Sequence, residues 1–391
     1  MSLDFQQVRV QVQELGKNAP QKQQERSEKR QQALALLEAY AQEAQALRRK
    51  VEAVSDPSLR CALPADLNQP EALNAHFPLP ALPSAATLLA ADGSQINLDR
   101  HAKVEYSLVN VGAIQMRLGG ASPPQTTIQC QLFYDEQLYN QTEAILALTR
   151  DLRERAMLVE LADKADPPVI TFTDGPVELW GVKDASSEES SAYEESLHEY
   201  LDVLFRLYEL GAITAGYVDK PAANLVVRLL EVANAKPEEL AKIRNYQPLR
   251  GVSDRFLFKD ILNPGERSAV FELQSQSAKK YKDHLALHFF YLNVGRDGHP
   301  SLARVEVPAW VARDSSKLDT LHAVLVDQCR ILGARPYPYL LQRAHETARV
   351  SLEERAQVTN MIALELNRQG ISVEGTSNKQ YAKDQPGRTR L

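Results

Sequence analysis

The sequence predicts an α/β protein with a mixed sheet flanked by helices, and three observations carry that reading. Three apolar segments between residues 87 and 134, TLLAAD, KVEYSLVNVGAI and TTIQCQLFY, follow one another closely enough to pair as an antiparallel meander. Helix-like and strand-like patterns then alternate, as crossover connections require. Finally, 391 residues of 44% hydrophobic and 25% charged composition can bury a large core without disulfides or structural metals.

The elements follow in order. Residues 20 to 53 contain no Gly, start at Pro20 and place Leu34, Leu36, Leu37, Tyr40 and Leu47 at helical intervals, so one long amphipathic helix is expected. Its nearly polar first half suits an arm against a second subunit or a solvated one. Pro57, Pro64, Pro70, Pro78, Pro80 and Pro83 make residues 54 to 84 an extended connector. After the meander, residues 140 to 163 read as a helix and PPVITFTDG as an apolar strand. Residues 192 to 210 give a helix, AITAGYV a strand, and ANLVVRLLEVANA a helix, completing the order β-β-β-α-β-α-β-α. SAVFEL, HLALHFFYLNV and SLARVEV add strands, and 308 to 332 and 338 to 369 add helices, Ser351 and Glu354 fitting a capping box. The expected organisation is an extension and connector over 1–84, a main domain over 85–370 and a flexible polar tail over 371–391.

Composition removes several classes of function. Forty-five Lys and Arg against 51 Asp and Glu leave a net charge of -6, so any nucleic-acid contact must come from a local basic surface. Cys61, Cys130 and Cys329 have no zinc-ligand spacing. No leader pattern and no run approaching ~20 apolar residues is present, so a cytoplasmic protein without membrane contact is expected. Walker A, dinucleotide-binding and GxSxG motifs are absent, which removes the usual supports for nucleotide hydrolysis, dinucleotide chemistry and α/β-hydrolase chemistry. The acidic segment DASSEESSAYEESLHEY, Asp184 included, reads as a solvated loop running into a helix.

Two Asp-Gly pairs close expected strands, Asp92 in LLAADGS and Asp174 in ITFTDGP, and each reads as a turn. In a meander followed by crossovers, the first and fourth strands become neighbours about 4.8 Å apart, with the two carboxylates side by side. Carboxylates that close repel unless protonated or neutralised, and a divalent cation with oxygen ligands neutralises them. The intervening helix can supply a further ligand: Glu154 is best placed, with Glu160 and Glu143 as competitors. Tyr337 precedes His345 by eight residues in PYPYLLQRAHETARV, about two helical turns if the segment is helical throughout. Imidazole can ligate a transition metal, and a phenol can orient water or phosphate. Lys220 in GYVDKP and Arg267 in LNPGERS place cations at turns, where they suit phosphate recognition.

Taken in order, AADGSQI, YSLVNVG, TFTDGP, AGYVDKP, LNPGERS, FYLNVG, ARVEVP and PYPYLLQRAH resemble the motifs of the NurA family of nucleases across residues 85 to 370. The resemblance implies a ribonuclease H-like core and 5′ to 3′ exonuclease and single-strand endonuclease activity on DNA. It also implies Mn²⁺ as cofactor, with two ions and Mg²⁺ as the substitute, a ring-like homodimer and a HerA-type hexameric translocase as partner, in DNA end processing or defence. The family's metal-binding and catalytic positions match Asp92, Glu154, Asp174, Tyr337 and His345. Lys220, Asp254 and Arg267 are suggested as DNA-contacting or supporting groups. The rival reading is a non-catalytic clamp that guides DNA into a motor ATPase.

Overall fold

Asp4 accepts hydrogen bonds from the Gln6 and Gln7 amides and so caps helix α1 (Phe5–Ala39), which begins well before Pro20 and runs through it. The expected start at Pro20 is therefore wrong: a proline that reads as a first helical residue is here an interior one. Burial on α1 begins only at Arg30, Ala33 and Leu37. Helix α2 (Ala44–Glu52) follows as a separate element, so the single helix expected to residue 53 is two. The proline-rich stretch is more than a connector, because it contributes strands β1 (Cys61–Pro64) and β2 (His76–Phe77).

The next elements are β3 (Ala86–Ile96), β4 (Ser107–Leu118), β5 (Gln125–Phe133), α3 (Glu143–Ala162), β6 (Val169–Asp174), α4 (Ser187–Glu209) and β7 (Ile213–Val218). Then come α5 (Leu225–Asn234), α6 (Pro237–Leu240), α7 (Asp254–Phe258), β8 (Arg267–Ser268), β9 (Phe271–Gln274), β10 (Leu287–Asn293), β11 (Leu302–Pro308), α8 (Ala309–Ala312) and α9 (Ser315–Ile331). Helices α10 (Tyr339–Ala348) and α11 (Leu352–Arg368) complete the chain, and the capping box expected at Ser351 and Glu354 is formed. The expected helices over 308–332 and 338–369 are each divided in two, the second at Arg349 and Val350. This computed structural model describes residues 3–100, 102–139, 141–181 and 186–371. Asp184 and residues 372–391 of the expected tail lie outside the described residues. No helix among those described is long and apolar enough to cross a membrane.

The chain forms two units, each built from separated stretches. The first comprises residues 1–82 and 217–336, the second 83–216 and 337–391. In the first unit, β10 and β11 pair antiparallel and are buried along their whole length. Strand β10 (LHFFYLN) therefore reads as a near-continuous apolar run, whereas β11 (LARVEVP) carries Arg304 and Glu306 two residues apart on one face. Phe258 and Tyr291 stack at 5.1 Å and Phe271 and Phe289 at 5.7 Å in this core.

The second unit holds the expected meander: β3 pairs antiparallel with β4, and β4 with β5. The crossover through α3 returns β6 to the open edge of β3, in parallel, giving the order β5-β4-β3-β6-β7. Numbered along the core, that is 3-2-1-4-5 with an antiparallel second strand, the arrangement of a ribonuclease H-like fold. Helices α3 and α10 pack against β3 and β4.

Candidate active site

Ala91 and Thr173 are register partners across the β3 and β6 pair, so Asp92 and Asp174 are the next residues of two neighbouring parallel strands. Strand β3 does not turn at Asp92-Gly93, as expected, but continues to Ile96, with Asp92 opposite Gly112 of β4. The reason is steric. A Cβ on Gly93 would stand 2.5 Å from Arg150 Cγ and 2.7 Å from Glu154 Oε1, so the glycine makes room for α3 side chains on the strand. Asp174, in contrast, does end its strand, with the chain turning at Gly175.

Gly112 has the corresponding role for α10, since a Cβ there would meet the Ala348 amide nitrogen at 2.7 Å. Asn110 Nδ2 donates to the Ala348 carbonyl at 2.7 Å, and the Ser94 hydroxyl donates to the same oxygen. The end of α10 is thereby clamped to β3 and β4, which explains the Asn and Gly of YSLVNVG. From this clamped helix His345 Nδ1 donates to Asp92 Oδ2 at 2.7 Å. Tyr337 lies ahead of α10 rather than on it, because the helix begins only at Tyr339, after Pro338. It still reaches the same place, donating its hydroxyl to Asp174.

Asp92, Asp174 and His345 border one cavity of about 370 Å³, lined also by Asp151, Glu154 and Glu178 together with Arg150, Arg155, Trp180 and Tyr200. Of the three glutamates weighed on α3, Glu154 is buried at this cavity, whereas Glu143 and Glu160 are exposed. Burial raises the Glu154 carboxyl well above the usual range, and the charges of Asp151 and Asp92 push it further, against Arg150 and Arg155. Arg150 Nε stands 3.6 Å from Glu154 Oε1 and pairs with Asp151 at 2.7 Å. Desolvation also raises Asp174, against the Tyr337 hydrogen bond, and Asp92 adds to the rise.

Sequence reasoning missed Arg150, Asp151, Arg155 and Trp180. Arg155 is 2% exposed and donates to the Tyr200 hydroxyl at 3.1 Å, and its Nη1 has no partner among the described residues. Its burial could not be read from a helix with charges on most faces. Trp180, 55% exposed at the cavity, was hidden because its neighbours read as a loop.

The remaining residues singled out lie in the first unit. Arg267 is buried, its guanidinium on Glu71 at 2.9 Å and 3.8 Å from the Phe77 ring centroid. Asp254 is fully buried and accepts from the Val226 and Val227 amides and the Tyr291 hydroxyl. Lys220 is exposed.

Among the described residues, no three His, Cys, Asp or Glu side chains already stand at the spacing of a metal cage. The donor chemistry nevertheless fits a divalent cation: carboxylates crowded enough that the charge of Asp92 adds to the rise of both Glu154 and Asp174, with an imidazole beside them.

A family model described as the NurA domain matches residues 86–350. Among solved structures, the NurA nuclease from Sulfolobus solfataricus is similar at 11% identity, over 75% of this chain and 88% of that one, with a TM-score of 0.48. A NurA structure with manganese is similar at 10% identity, over 75% and 91%, with a TM-score of 0.39. Human endonuclease V is similar at 14% identity, over 82% and 99%, with a TM-score of 0.34. No curated protein sequence matches.

Proposed function

Because the chain belongs to the NurA domain family, we propose that it is a metal-dependent deoxyribonuclease hydrolysing phosphodiester bonds at the carboxylate cavity. The observation that carries the reading is the adjacency of Asp92 and Asp174 on parallel strands, at a cavity where Glu154 and His345 also stand. Five carboxylates there face two arginines, so negative charge is in excess. Asp92, Glu154, Asp174 and His345 would hold the cations, two in this reading, and an imidazole among carboxylates favours Mn²⁺ over Mg²⁺. Bound there, such ions supply Lewis acidity toward a phosphodiester and make water nucleophilic at neutral pH.

The chain's own residues hold the acids in place. Tyr337 fixes Asp174 through its hydroxyl, and His345 fixes one oxygen of Asp92. Arg150 and Arg155 lower Glu154 toward ionisation, offsetting part of what burial does. Trp180 offers an exposed ring on which a base of a single strand can stack, an interaction of about 1–3 kcal/mol. A nuclease domain over 85–370 would act as a 5′ to 3′ exonuclease and single-strand endonuclease. It would assemble as a homodimer with a HerA-type hexameric translocase, in DNA end processing or defence.

The test is a labelled single-stranded oligonucleotide incubated with Mn²⁺, Mg²⁺ or EDTA. Product is expected with Mn²⁺ and absent both in EDTA and from Asp92→Asn. Binding without product under every metal condition would favour the clamp and overturn the nuclease.

A further inference from the structure

The first unit carries a pocket opposite in sign to the carboxylate cavity of the second. It has a volume of about 320 Å³, and Arg26, Lys220, Arg255, Phe256, Lys259 and Pro300 are among its lining residues. Arg26 and Lys259 each stand 4.7 Å from the centroid of the Phe256 ring, and Arg30 stands 5.3 Å from it. Arg30 is neutralised by Asp260 at 2.8 Å, and Lys220 has Asp219 at 3.9 Å. Arg26, Arg255 and Lys259 have no carboxylate within ion-pair reach among the described residues. The adjacent acid, Asp254, is turned into the core and engaged there.

Cations gathered at one ring repel one another, and attraction to the ring face returns only about 0.5–1 kcal/mol each at an exposed site. On a chain of net charge -6, such a local excess is where a polyanion is attracted. The walls narrow the ligand further. Phe256, Pro300 and Leu302 set apolar surface beside the charges, of no use to a small inorganic anion but suited to the sugars between phosphates.

We propose that this pocket binds the sugar-phosphate backbone of single-stranded DNA, with Arg26, Arg255 and Lys259 taking phosphates and the apolar wall taking sugars. The choice of DNA rests on the nuclease reading, and the pocket adds a strand-holding site to it. No metal is needed for such binding, so it is measurable where cleavage is off.

The experiment is fluorescence anisotropy of a labelled oligothymidylate with the full chain in EDTA, across a potassium chloride series. Removing three phosphate contacts, by the triple variant Arg26→Gln, Arg255→Gln and Lys259→Gln, should weaken binding by about tenfold or more near 0.1 M salt. It should also flatten the dependence of log K on log salt by about 2, at about 0.7 per phosphate. The exposed single variant Arg255→Glu guards against misfolding and should weaken binding in the same direction, while Arg255→Lys should retain it. Wild-type affinity and salt slope in the triple and Arg255→Glu variants would overturn the proposal, as would a wild-type chain that binds no oligonucleotide. Orthophosphate displacing the oligonucleotide far better than chloride of equal ionic strength would assign the pocket to a free anion and also overturn it. Binding lost in the variants without any Mn²⁺-dependent cleavage by wild type would sustain the pocket and sink the nuclease reading.

Discussion

The two units pair their arginines with acids in different proportions. In the first, Arg304 lies 2.7 Å from Glu306 and Arg267 2.9 Å from Glu71, while Arg228 pairs with Glu231, so each buried cation has its anion. In the second, Asp92, Asp151, Glu154, Asp174 and Glu178 face one cavity with Arg150 and Arg155. A paired buried charge is costly to break, whereas like charges crowded at one cavity raise their own energy and persist where a ligand relieves it. The difference separates structural charges such as Arg267 from candidate chemistry such as Asp174, although both stand beside Gly and Pro turn residues in the sequence.

The sharpest contrast comes from removing one charge from each unit. Glu306→Gln leaves Arg304 buried without its anion and should lower stability by about 3–5 kcal/mol in denaturant titration. Cleavage per folded molecule should not change. Asp174→Asn should do the reverse, reducing cleavage on the order of 10²–10³-fold in the oligonucleotide assay. Its melting temperature without metal should hold or rise, because a repelling charge is gone. A melting temperature that falls as far as that of Glu306→Gln would erase the contrast.

A pH titration sharpens the first unit's side. His322 is buried, its Nε2 donating to the Gly265 carbonyl at 2.6 Å and its Nδ1 without a partner among the described residues. Burial lowers this imidazole to about 4, so the folded chain keeps it neutral where the unfolded chain, near 6.5, would protonate it. Its contribution is therefore complete above pH 6.5 and lost as pH falls toward 4, by about 3 kcal/mol in all. His322→Gln should flatten that acid limb in melting measured from pH 7 to 4.

The smallest expected effect lies at the strand-helix contact. Gly112→Ala sets a Cβ 2.7 Å from the Ala348 backbone nitrogen. It should cost about 1–3 kcal/mol of stability and lower cleavage by displacing His345. Unchanged stability and cleavage would mean that α10 is not positioned by this clamp.

The core topology was legible because the strands are long, apolar and closely spaced, and their order alone made Asp92 and Asp174 neighbours. The Asp92-Gly93 pair was misread because a dipeptide cannot tell a turn from a place where another helix leans on the strand. Pro20 misled because an interior proline forfeits a helical hydrogen bond and crowds the preceding turn, so its ring signals a helix start, yet α1 runs through it. Glu154 stood out among three glutamates only through position, whereas the burial of Arg155 beside it depends on Tyr200 and Pro176, whose approach no local pattern records. Tyr337 reaches Asp174 from outside the helix on which the spacing had placed it.

The excess of carboxylates in the second unit is tested most directly by thermal melting of wild type, Asp92→Asn and Asp174→Asn with and without Mn²⁺. The wild-type midpoint should rise with Mn²⁺, by the equivalent of about 2.7 kcal/mol at a hundredfold excess over Kd, and neither variant should respond comparably. An equal rise in all three, or none in wild type, would contradict the account.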